Sequence, residues 1–145
     1  MAMAEIKTPK ALQLVARALA RLGRDRARAG DVTPQQAETL QLVAERGAMS
    51  TSTLAWMLGI DPSTASRNLA GLERAGYMVR RRGTEDGRQT DVRLSPRGKR
   101  TADAVALEWA QTYTQLLERI PRGDRQRIID AIEALARLLE ADASL

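Results

Sequence analysis

Apolar residues recur at helical spacing over most of the chain, and the breaks in that recurrence define the elements. Leu12, Val15, Ala16, Leu19 and Leu22 share one face of a helix running from Ile6 to about Arg26, with Arg and Lys opposite. Gly30-Asp31-Val32-Thr33-Pro34 interrupts it. Thr33 and Pro34 then start a second helix carrying Ala37, Leu40, Leu42 and Val43 and ending near Gly47. Residues 48–50 predict a short strand. A third helix follows with Leu54, Ala55, Met57 and Leu58, opened by the hydroxyls of Ser50 to Thr53 and closed by Gly59. Asp61 caps a fourth, with Pro62 at its first position, where a missing N–H is harmless. Ala65, Leu69 and Leu72 form its buried face, Ser63, Arg67 and Arg74 fall opposite, and Thr64 and Asn68 lie on the flank. Gly76 ends it.

From Tyr77 the period changes to two. Residues 77–81 and 89–94 predict strands, and the polar, glycine-punctuated run Arg82 to Arg88 suits a hairpin tip between them. Ser95-Pro96 then opens a long helix with Val105, Trp109, Tyr113, Leu116 and Leu117, broken at Pro121. A last helix repeats Ile128, Ile132, Leu135 and Leu139, with Ile129 and Leu138 widening the stripe. Two short helices joined at a glycine turn and followed by a basic hairpin make a winged helix-turn-helix. The predicted class is therefore mainly α (α+β), with long N- and C-terminal dimerisation helices around the winged lobe.

Nothing repetitive or low in complexity divides the chain, so residues 1–145 are expected to form one domain. The DNA-binding lobe is placed at 32–98 and the dimerisation helices at 5–28 and 99–141. A Leu/Ile stripe more often fills its own core. Here a winged-helix core needs roughly half the chain, and the surplus stripes sit at both ends, where a homodimer covers them.

Charge sharpens the picture. The chain carries 23 basic and 18 acidic residues, net +5. Residues 62–100 hold ten Lys/Arg against four acids, so that block is +6 and the remainder −1. Excess charge confined to one block implies a polyanionic partner. The candidate DNA contacts are Ser50 and Thr51 at the third helix, Pro62, Ser63, Thr64, Ser66, Arg67, Asn68 and Arg74 along the fourth, and Arg82, Asp86 and Arg88 in the wing. Two other readings of the basic block stand beside this one. One is an architectural or RNA-binding winged helix that reads backbone shape without sequence preference; the other is a protein–protein module with a solvated arginine face.

Several chemistries drop out. With no Cys and no His there is no disulfide framework, no thiol sensor, no Ser/His or Cys/His constellation, and only carboxylates to ligate zinc. Glu85-Asp86 and Glu140 with Asp142 are acids of a hairpin tip and a tail, where solvated surface is the simpler account. The glycine-rich phosphate loops of nucleotide-binding enzymes are missing as well. An enzyme, a resident cofactor and a metal site are not expected. Without an apolar run near the ~20 residues of a membrane span, and without a signal-peptide core, the expected place is the cytoplasm, away from membranes.

Asp61-Pro62-Ser63-Thr64-Ala65-Ser66-Arg67, Leu72-Glu73-Arg74-Ala75-Gly76-Tyr77, and Asp86-Gly87-Arg88 leading to Val92-Arg93-Leu94-Ser95-Pro96-Arg97-Gly98 resemble the MarR family of bacterial transcription regulators. The Asp-x-Arg wing followed by Leu-[Thr/Ser]-x-x-Gly is the most distinctive part, and the resemblance covers nearly the whole chain. It implies a homodimeric regulator, more often a repressor, on a pseudo-palindromic operator. Asp86 would orient wing arginines and Arg88 would enter a minor groove. Gly87 stands where the family often has a bulkier residue, which would loosen the wing tip. The family also implies a cleft for a small aromatic or phenolic effector between the dimer helices and the DNA-binding lobe. Trp56, Trp109 and Tyr113 are the large side chains available to line it, but with no Phe in the chain core packing is the preferred account of them. Sensing through a metal or a thiol is not expected.

Overall fold

The computed structural model describes residues 7–26, 31–82 and 90–142. Six helices and three strands follow in the order α1 (Thr8–Arg26), α2 (Pro34–Arg46), β1 (Met49–Ser50), α3 (Thr51–Leu58), α4 (Pro62–Arg74), β2 (Met78–Arg82), β3 (Thr90–Leu94), α5 (Pro96–Glu118) and α6 (Arg122–Asp142). The fold divides after Trp109 into two compact units.

In the first unit the helix boundaries are written in side-chain chemistry. Thr33 Oγ1 accepts from the Gln36 N–H at 3.2 Å while Gln36 Oε1 accepts from the Thr33 N–H at 3.0 Å, a reciprocal cap that starts α2. Gly47, at φ +82°, ends it. Ser50 caps α3 through Thr53 N–H at 3.1 Å, and Gly59, at φ +63°, supplies the left-handed turn into α4. The strands form one antiparallel sheet in the order β1-β3-β2, with Val92 of β3 opposite Met49 on one side and Arg80 on the other.

Leu40, Leu54, Leu69, Val92 and Val105 are fully buried and bring α2, α3, α4, the sheet and the start of α5 into one core, completed by Leu72, Met78 and Ala102. Each of the Leu, Val and Met side chains contributes about 1.5–3 kcal/mol on leaving water. Two polar residues share this interior. Thr39 donates to the Gln35 carbonyl at 2.8 Å, and Gln41 donates to the Ala102 carbonyl, tying α2 to α5. Both are satisfied, so their burial carries no desolvation penalty left open.

The apolar stripe of α1 covers less than its pattern implies: Leu12 and Val15 are about half exposed, as is Leu14 off the stripe. In the second unit α5 closes with a turn at Arg119-Ile120. Arg125 Nη2 donates to the Glu118 and Ile120 carbonyls at 2.8 and 3.1 Å, satisfying orphaned acceptors at the helix end. α6 buries no residue, and Ile132, Leu135, Leu138 and Leu139 are 40–59% exposed. That is a continuous apolar stripe on a single chain, the pattern of a surface meant to be covered.

Small boundary differences have plain causes. The first strand of the hairpin runs 78–82 instead of 77–81, because Tyr77 turns inward to cover the start of α5 and is 4% exposed. The first helix begins at Thr8, and Ile6 lies outside the described residues.

Candidate nucleic-acid interface

α4 is built to present a face. At 100° per residue, Ala65, Leu69 and Leu72 cluster within a narrow arc and are buried, which turns Ser63, Arg67 and Arg74 outward; all three are exposed. Gly71 lets the flank of α4 approach α2, since a Cβ there would lie 3.1 Å from Gln36 Nε2. Arg67 Nη2 donates to Thr64 Oγ1 at 3.3 Å, one turn back on the same surface. Pro62 and Ser66 are exposed beside it, and Thr64 is half-buried. Asn68, expected on the DNA-facing flank, is instead half-buried with its amide nitrogen shielded and without a partner among the described residues. Its helical angle places it beside the Leu69–Leu72 face.

The N-terminus of α4 is acid-capped. Asp61 Oδ2 accepts from the Ser63 N–H at 2.9 Å and from the Ser63 hydroxyl. The hydroxyl contact, then the N–H contact, hold this carboxyl below its ordinary value of 3.8. A carboxyl lowered in the folded state stabilises above its unfolded pKa, and that contribution is lost as pH falls through the lowered value. Thermal midpoints followed into the acid range should therefore drop more steeply for the wild type than for Asp61→Asn, which keeps an acceptor that does not titrate. Parallel curves would mean that the cap is energetically silent.

Ser50 and Thr51 lie at the start of α3, with Ser50 already engaged as its cap. Arg82 ends β2, but its side chain, with Asp86 and Arg88, lies outside the described residues. Part of the basic block is structural instead of presented. Arg80 shares the inward face of the sheet with Met78 and Val92 and pairs with Glu73 of α4. Arg97 donates to the Ala75 carbonyl at 2.6 Å and stacks on Tyr77 with 4.5 Å between guanidinium and ring centre. Lys99 pairs with Asp103 one turn on in α5 at 2.7 Å, but both side chains stay exposed and the lysine is still presented. Arg67, Arg74, Arg81, Arg93 and Arg100 are exposed, as are Arg97 and Lys99 despite their partners, with Arg81 and Arg93 on the outward face of the wing strands.

Period-two alternation out of buried Met78 was the signal that could have set Arg80 apart. No local signal marks Arg97, whose partners lie about twenty residues upstream.

The aromatic residues separate. Trp56 does not pack in the core as preferred from sequence: it is 62% exposed, because Leu54 and Ala55 already occupy the inward face of the short α3. Trp109 packs half-buried against the core of the first unit, its indole N–H without a partner among the described residues. Tyr113 is half-buried in the second unit. Among the described residues no group of three or more acids could hold a metal ion, and no helix is long and apolar enough to cross a membrane.

The MarR family matches residues 32–90 of the chain. An uncharacterized HTH-type transcriptional regulator of Bacillus subtilis (strain 168), YdgJ, is 29% identical over 101 residues, which cover 70% of this chain and 62% of that protein. A riboflavin kinase of Methanospirillum hungatei is 39% identical over 88 residues, 57% of this chain but 37% of the kinase, so the likeness reaches little more than a third of that protein. Among solved structures, the Staphylococcus aureus MepR–DNA complex shares the fold with a TM-score of 0.69 at 17% identity, over 93% of this chain and 99% of that one. The matched stretch holds the two helices of the turn, the glycine between them and the first wing strand, so over residues 32–90 this chain is similar to the MarR family, and its fold is shared with the MepR–DNA complex along nearly the whole chain.

Proposed function

We propose that the chain is a homodimeric transcription regulator that binds a pseudo-palindromic duplex and represses by occupying it, and that a small aromatic or phenolic effector releases it. The outward face of α4, with Ser63, Arg67 and Arg74 held exposed by the burial of Ala65, Leu69 and Leu72, carries the reading. It supplies a guanidinium and hydroxyls on a helix of the size that enters a major groove. The bare stripe on α6 and the exposed residues of α1 favour a second copy of the chain as the remaining cover. That a solved relative of the same fold carries DNA is in keeping with this. The effector reading rests on the half-buried Trp109, whose indole N–H has no partner among the described residues, and on the family resemblance.

Duplexes selected by the purified protein from random sequence decide the matter. A symmetric consensus with half-sites about 10 base pairs apart is expected, together with a dimer by light scattering at micromolar concentration. Selection without any consensus would replace regulation by architectural binding. A well-folded monomer would remove the two-half-site mechanism.

A further inference from the structure

Arg97 was part of the basic block, yet the structure gives its side chain three contacts on its own chain. Nη1 donates to the Ala75 carbonyl at 2.6 Å, Nη2 donates to the Tyr77 hydroxyl at 3.4 Å, and the guanidinium lies over the Tyr77 ring. Ala75 is the C-cap of α4, and Arg97 is the second residue of α5. We infer that Arg97 is a positioning residue: it locks the C-terminal end of the recognition helix α4 to the N-terminal end of α5.

The lock has a clear physical basis. The last carbonyls of a helix lack intrahelical donors and carry its negative end, so a guanidinium there both satisfies an acceptor and complements the dipole. A planar guanidinium can donate and stack at once, which an ammonium cannot reproduce. Ser95 runs parallel to it: its hydroxyl donates to the Gly76 carbonyl at 2.5 Å and accepts from the Gly98 N–H at 3.0 Å, while its own N–H donates to the Tyr77 carbonyl at 3.0 Å. Residues 75–77 are thus held from the α5 side by both Ser95 and Arg97.

The consequence rests on the DNA-binding reading above, although the geometry does not. α4 has 13 residues. At 1.5 Å per residue it is roughly 20 Å long, so a tilt of about 10° at its C-terminal end moves the Pro62 end by about 3 Å, the length of a hydrogen bond. A single half-site can follow such a tilt. Two half-sites fixed on one duplex cannot, so the lock should matter for simultaneous engagement.

The test compares wild type, Arg97→Ala and Arg97→Lys by amide hydrogen exchange and by binding to the selected duplex with one or two half-sites. For Arg97→Ala, exchange at Gly76 and Tyr77 should quicken about 10-fold while Leu40 and Val43 of α2 keep their protection. Two-half-site affinity should fall about 10-fold and one-half-site affinity less than about 2-fold. Arg97→Lys should recover part of both. Unchanged exchange at Gly76 and Tyr77, or faster exchange throughout α2 as well, would overturn the lock. Equal losses on both duplexes, with a shallower salt dependence, would make Arg97 a phosphate contact and overturn the positioning role. If the wild type selected no duplex, the DNA-binding reading would fail, and the exchange measurement would still decide the lock.

Discussion

Gly98→Ala should lower the stability of the first unit by about 3 kcal/mol, near the upper end of what a forced backbone shift in a packed site produces. Gly98 is buried in the first turn of α5, and a Cβ built on it would overlap the Tyr77 carbonyl oxygen and crowd the Leu94 side chain. That oxygen cannot withdraw freely, because it accepts from the Ser95 N–H at 3.0 Å. The clash is therefore between two backbones, with no flexible side chain to yield. A thermal midpoint about 10 °C below wild type is the expected readout. Gly123 is the control. It also lies in the first turn of a helix, but a Cβ there meets nothing within 4 Å, so Gly123→Ala should leave the midpoint unchanged or slightly raised. Equal midpoints for Gly98→Ala and wild type would show that α5 can shift away from the sheet, and that the close approach is not required.

This glycine shows where the sequence was legible and where it was not. Leu94-Ser95-x-x-Gly98 stood out as a family pattern, but its reason is a contact with residue 77 that no local spacing reveals. Elements whose cause is local could be read directly: Thr33-Pro34 as a helix start, Gly59 as a left-handed turn, Asp61-Pro62 as a second start, and Ala65, Leu69 and Leu72 as one buried face. Roles set by tertiary pairing could not be assigned from spacing. Arg80 and Arg97 entered only as charges of the basic block, whereas one pairs inward with Glu73 and the other closes on Ala75 and Tyr77. Trp56 illustrates the same limit from the apolar side. The scarcity of aromatic residues favoured the core for it, but an eight-residue helix whose inward face is filled by Leu54 and Ala55 has no further room there. Polar Thr39 and Gln41 went inside instead, made tolerable by one hydrogen bond each.

Arg67 and Arg88 should fail in different ways. Arg67 is exposed on the outward face of α4, and its hydrogen bond to Thr64 Oγ1, at 3.3 Å, is long enough to be given up for a better acceptor. From that position a guanidinium can meet guanine O6 and N7 together, so Arg67→Ala is expected to cost roughly 1–3 kcal/mol on the selected duplex. Discrimination should relax at one position per half-site, with non-specific affinity much less affected. Arg88 lies outside the described residues, in the segment joining β2 to β3. A cation carried on that segment would sit in the negative potential of a narrow minor groove, so its loss should weaken binding across many sequences, most where the flanks are A·T-rich, and reduce the salt dependence. Binding isotherms for both variants on selected and scrambled duplexes, at several salt concentrations, separate the two roles. Equal weakening of both duplexes by Arg67→Ala would make Arg67 a backbone contact. Unchanged affinities for Arg88→Ala would leave α4 as the sole reader and the hairpin as a structural flap.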